Sequence, residues 1–193
     1  MPARVPTLVL EDESGSHRVN LTLDAGQRYR AVVGKPALKA QLFRALSELA
    51  PVGVVAGDGG LIGNLKVWEN LVLPVAYRGG APLAELEARA ERLFREAGIL
   101  RARFAELCAG LPDRLSAFER RLAVFVRAML AEPEIMVYDA LFDGLARADA
   151  ERAAGFDRVF QLHFPFRTAL FVNSENSAPA GFAPGATWLL RSL

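Results

Sequence analysis

The sequence predicts an α/β fold with a mainly parallel sheet and flanking helices. Three features lead there: short runs of β-branched and aliphatic residues, intervening stretches whose apolar residues recur at helical spacing, and turn residues at the junctions. Strands that alternate with helices pair in parallel and are covered on both faces.

Along the chain, TLVLE (7–11), RVNLTLD (18–24) and RYRAVV (28–33) alternate or run apolar as strands do, and DAGQ makes the turn before the third. Leu38, Leu42, Ala45, Leu46 and Leu49 then recur as one face of a helix. VGVVA (52–56), bounded by Pro51 and a glycine cluster, reads as a buried strand. Leu83, Leu86, Ala90, Leu93 and Ala97 line a long helix, and Phe118, Leu122, Phe125 and Met129 line another that stops near Pro133. EIMVYDAL (134–141) and TALFVNS (168–174) read as buried strands running into turns, with the helical stretch DAERAAGFDRVFQLHF (149–164) between them. No repeat or low-complexity linker interrupts the pattern, so one domain over 1–193 is expected.

Composition removes several function classes. The 193 residues are 52% hydrophobic and 23% charged, and a mean hydropathy of +0.18 is high enough to suggest a partner surface. A net charge of +1, with arginines interspersed among acids, leaves no basic stripe for nucleic acid. Cys108 cannot form an intramolecular disulfide, and His17 and His163 lie too far apart to suggest a metal cluster. No apolar run reaches the ~20 residues of a membrane span, and MPARVPTLVLEDE lacks a signal-peptide layout. A cytoplasmic protein is expected, meeting a membrane only through a partner.

Ligands of parallel α/β sheets sit at the carboxyl ends of strands. That rule selects the turn after Val33, the glycines after Ala56, and the end of the strand at Asp139. In the first of these, a lysine, Lys39, follows a turn that holds one glycine, Gly34. The order of the three places, with the helix that follows Leu115, resembles the ATP-binding subunit of ABC transporters, and most of all the ATPases of bacterial Mla/Mce-type lipid importers. GDGGLIGNLKVWENLVLPVAYRGG (57–80) is similar to the segment after that family's Q-loop, and LSAFERRLAVFVRAMLAEPEIMVYDALFDGL (115–145) matches the stretch from signature to D-loop without a gap. The resemblance implies a P-loop NTPase-like sheet, a small helical subdomain at about 62–115, and an antiparallel β subdomain. The last is reduced, because few residues separate Leu49 from VGVVA.

Carried over residue by residue, the family's phosphate-loop glycines fall on Val33, Pro36 and Leu38. Proline removes an N–H donor, and a non-glycine residue held in the left-handed region costs roughly 1–2 kcal/mol. Ala40 and Gln41 follow Lys39, so the magnesium-binding hydroxyl is missing. Asp139 falls on the Walker B aspartate, a weak metal position, and Ala140 on the catalytic glutamate. Gly57 stands at the Q-loop glutamine, Ser174 at the switch histidine and Ala146 at the D-loop aspartate. In the signature, Leu115 and Ser116 remain, Ala117 and Phe118 replace its two glycines, and Glu119 closes it; the ring of Phe118 is expected to block the helix N-terminus. His17 and Tyr29 are weak candidates for adenine stacking.

The resemblance therefore implies a degenerate ATPase-like subunit that requires no cofactor and binds Mg-ATP weakly at most. Its expected partners are a membrane permease, a second ABC ATPase subunit, or both, with a homodimer left open. Leu61, Ile62, Leu65 and Trp68 are the expected docking residues, with core packing of a small subdomain as the alternative. Two further readings stand beside it: a slow or partner-completed ATPase or ATP-dependent switch, and an interaction module that has left transport.

Overall fold

The computed structural model describes residues 7–11, 18–173 and 186–190. Two strands, β1 (Thr7–Glu11) and β2 (Arg18–Thr22), form an antiparallel pair. The main sheet has five parallel strands in the order β4 (Val52–Ala56), β5 (Ile135–Asp139), β6 (Thr168–Asn173), β3 (Arg28–Val33) and β7 (Ala186–Leu190). Pairing of Ala56 with Asp139, of Asp139 with Val172 and of Val32 with Asn173 aligns the carboxyl ends of four strands.

Side chains alternate across the pleat and split the core into two layers. Ile135 and Val137 of β5 face α1 (Pro36–Leu49), whose Leu38, Leu42 and Leu46 meet Leu8, Leu10 and Leu21 of the antiparallel pair and Leu23 just beyond it. Met136 and Tyr138 face the opposite layer, where α5 (Ala117–Leu130) is the central element and Leu122, Phe125 and Val126 are fully buried. On α5 rest α2 (Val67–Tyr77) and α3 (Leu83–Glu96), with α4 (Arg101–Ala109) against both of these, and the group closes with a 3-10 turn at Pro112–Arg114. These elements run over residues 67–114.

The helical stretch expected at 149–164 is two helices, α6 (Arg147–Ala153) and α7 (Gly155–His163), which break at Ala154. Strand β7 has the apolar run ATWLL that pattern reading passed over. The connection from Leu49 to Val52 is as short as the sequence implies, so the antiparallel part is the single pair β1–β2 among the described residues.

Candidate functional site

The turn after β3 consists of Gly34 and Lys35 alone, because α1 already begins at Pro36. Proline suits the first helical position, where its missing N–H has no intrahelical role. Leu38 is a core residue, and no residue from Val33 to Ala40 has positive φ. The strain expected of a phosphate loop without glycines does not arise, since the chain adopts a short β-to-helix turn instead of the loop. Lys39 lies in the first turn of α1, with its amide bonded to the Lys35 carbonyl at 3.1 Å. Its Nζ reaches across to Oδ2 of Asp139 at 2.7 Å. The lysine is 40% exposed and the aspartate 15%, so the pair sits at the rim of the sheet. Ala40 is exposed and Gln41 half-buried beside it.

Ala140 follows Asp139 with φ of 49° and donates its N–H to Val172. Gly57 donates to the Asp139 carbonyl at 2.8 Å, and a Cβ on Gly57 would lie 2.4 Å from the Ala140 carbonyl oxygen. Glycine at position 57 is therefore a packing requirement. Sequence reasoning treated it only as a lost side chain. Ser174 and His17 lie outside the described residues. Tyr29 is a core residue of β3: its hydroxyl accepts from the Asp24 amide at 2.8 Å and donates to the Asp24 carboxylate at 3.1 Å, so it offers no face for stacking.

The stretch from Leu115 to Glu119 caps α5. Ser116 Oγ accepts from the Glu119 amide and Glu119 returns a carboxylate bond to the Ser116 amide, a capping box. Arg103 of α4 adds two bonds to Glu119, at 3.0 and 2.7 Å. Burial raises the Glu119 carboxyl, but the Ser116 amide, Arg103 and the Ser116 hydroxyl outweigh it and hold the group below its usual range. Leu115 is buried, Ser116 exposed and Ala117 half-buried. Phe118 corrects the expectation of a blocked N-terminus. Its ring turns into the core, 5.7 Å from Phe156, under the Arg152 guanidinium at 3.8 Å.

The segment from Gly57 to Lys66 is a loop tied at two points. Arg127 of α5 donates to the Gly60 carbonyl at 2.8 Å. Asn70, fully buried on α2, accepts from the Ile62 amide at 2.7 Å and donates to the carbonyls of Ile62, Leu65 and Lys66. Leu61 and Trp68 pack half-buried against the α5 layer, Leu65 is half-buried, and Ile62 is 43% exposed. Trp68 also lines a cleft of about 420 Å³ with Phe104, Cys108 and Arg101. Sequence reasoning missed Asn70 and Arg103. A lone asparagine four residues into a helical pattern carried no signal of its own.

The chain superposes on solved ATP-binding cassettes. CbiO1 from Clostridium perfringens, part of the ABC transporter complex CbiONQ, aligns with a TM-score of 0.67 and 15% identity over 89% of this chain and 77% of that one. The fold is that of an ABC ATPase cassette. MJ0796, a bacterial ABC transporter cassette solved as a dimer, gives 0.66 and 18% over 90% and 89%, and its post-hydrolysis dimer with ADP and phosphate gives 0.65 and 17% over 89% and 87%. No protein-family model and no curated protein matches the sequence. Among the described residues no helix is long and apolar enough to cross a membrane, and no group of three or more His, Cys, Asp or Glu side chains is placed to hold a metal.

Proposed function

We propose that this cassette-fold protein is a catalytically degenerate, non-hydrolysing subunit, structural or regulatory, of a membrane transport assembly. The observation that carries the reading is the Lys39–Asp139 bridge: the cation and the carboxylate that a magnesium-bound nucleotide would engage neutralise each other at 2.7 Å. Around them the donors a triphosphate needs are missing. The turn has two residues, Pro36 has no N–H, Ala40 no hydroxyl and Ala140 no carboxylate. These residues do not fit Mg-ATP as the resident group, and no catalytic step is assigned to them.

The stretch 57–80 supports a partner-binding role, since it keeps its pattern and a buried asparagine fixes its loop. A permease helix laid beside Ile62 and Trp68 is the partner of first choice, which would place the protein at the cytoplasmic face of a membrane; a second cassette subunit or a second copy would complete the assembly. Lipid transport is the class that the resemblance of 57–80 supports.

The reading is tested by phosphate release and by melting in millimolar Mg-ATP. Release should equal the enzyme-free control and the melting temperature should stay put, because a ligand stabilises only once its concentration exceeds its dissociation constant. A Mg-dependent rise abolished by Asp139→Ala would favour the ATP-dependent switch. Turnover lost in Lys39→Ala would overturn the reading outright.

A further inference from the structure

Helix α7 carries a carboxylate inside the fold that no nucleotide-handling role uses. Asp157, in the first turn of α7, is 3% exposed. Its Oδ2 meets Arg28 Nη1 of β3 at 3.4 Å, the outer limit of a hydrogen bond, and its buried Oδ1 has no partner. Tyr138 of β5, fully buried, has a hydroxyl that is likewise without a partner, and the Asp157 charge acts on it through space. Arg30 lies two residues beyond Arg28 on the same face of β3, and its buried Nε is unpartnered too. On α5 the ring of Phe125 stacks on Phe156, the residue before Asp157, and Phe118 meets the same ring at a tilt.

A buried ion with one long contact and one bare oxygen is a costly arrangement. A proton removes the cost, since a neutral carboxyl can share a hydrogen bond with a neighbouring hydroxyl and no longer needs the guanidinium. We propose that Asp157 is a proton-operated latch between α7 and β3: ionised, it is held by Arg28, and protonated, it lets Arg28 go to solvent while the carboxyl joins the buried polar group of Tyr138. Burial pushes this carboxyl up to about 6, with the Arg28 charge opposing the rise. The consequence reaches the signature helix, because Phe156 couples the first turn of α7 to Phe118 and Phe125 of α5.

The sign follows from linkage. The folded protein holds the Asp157 proton more tightly than the unfolded chain, whose carboxyl titrates at the ordinary 3.8. The stabilisation is complete below that value and is lost as pH rises through about 6.

Urea unfolding of the full chain from pH 4.5 to 7.5, beside Asp157→Asn, tests this. The folding equilibrium constant of the parent should fall relative to that of the asparagine variant by roughly tenfold to a hundredfold across the interval. Parallel pH profiles for the two proteins overturn the proposal. Should the variant not fold, the carboxyl carbon resonance of Asp157 in the parent decides. A midpoint near 6 supports the latch and one near 3.8 refutes it. Arg28→Gln separates the latch from a merely buried acid. Without the guanidinium the midpoint must move higher, and an unmoved midpoint removes Arg28 from the device.

Discussion

A side chain at position 57 has no room. The Ala140 carbonyl oxygen would stand 2.4 Å from its first carbon, and both backbones are fixed by ladder-end bonds, Gly57 to Asp139 and Ala140 to Val172. Gly57→Gln should therefore destabilise by about 1–3 kcal/mol, as overpacking does. Urea unfolding checks it, and unchanged stability would show that the strand ends can separate. Cys108 makes a second case. Burial, with the nearby Glu87 charge adding, pushes its thiol up to about 12. At pH 8 about one molecule in ten thousand carries the thiolate, so a disulfide reagent should label the folded protein very slowly and the unfolded chain at once. Fast labelling of the native state would mean that α4 opens locally. Residues of this kind were the least legible in the sequence. Lys39 and Asp139 could be placed by their positions relative to strands, but their bridge could not, and the inward turn of Phe118 depends on Phe156, 38 positions away.

Elements were more legible, because their signals are local. The helix from Leu38 to Leu49 and the strand VGVVA show in periodicity alone, whereas the break between α6 and α7 does not, since Ala154 and Gly155 interrupt no apolar face. The start of α5 could have been read more fully: Ser116 and Glu119 have capping-box spacing. Ser116→Ala should cost about 1 kcal/mol of stability, the ordinary loss of an N-cap. A variant as stable as the parent would show that Arg103 and Glu119 hold the helix start without the cap. The loop from Gly57 to Lys66 has a sharper dependence on one side chain. Asn70→Ala removes four bonds and leaves loop amides and carbonyls short of partners, at a cost of about 1–3 kcal/mol. Hydrogen exchange should rise at the Ile62 amide first, because that amide donates to the lost oxygen. Exchange that rises equally across α2 would instead mean that Asn70 supports the whole helix.

At the scale of the molecule, the two layers of the sheet differ in what they leave open. The α1 layer is sealed by the antiparallel pair, and the α5 layer carries the helical unit, with an exposed Ile62 on the preceding loop and a cleft lined by Trp68. The whole-chain arrangement was legible because strand and helix signals alternate regularly, while the use of the surface was not, since from sequence Trp68 admits both a core and an anchor reading. Its half-buried place between the α5 layer and the cleft makes the two readings measurable together. Truncating a fully buried tryptophan costs about 3–5 kcal/mol of folding stability, and truncating a central aromatic anchor costs 2 kcal/mol or more of binding, on the order of a thirtyfold loss of affinity. Trp68→Ala should lose less stability than the first figure, because part of the ring already meets solvent, and should lose co-purification with a detergent-solubilised permease partner. A variant that unfolds makes Trp68 a core residue. One that stays folded and retains every partner of the parent protein removes Trp68 from the docking surface, and Ile62→Ala then becomes the remaining test of that loop.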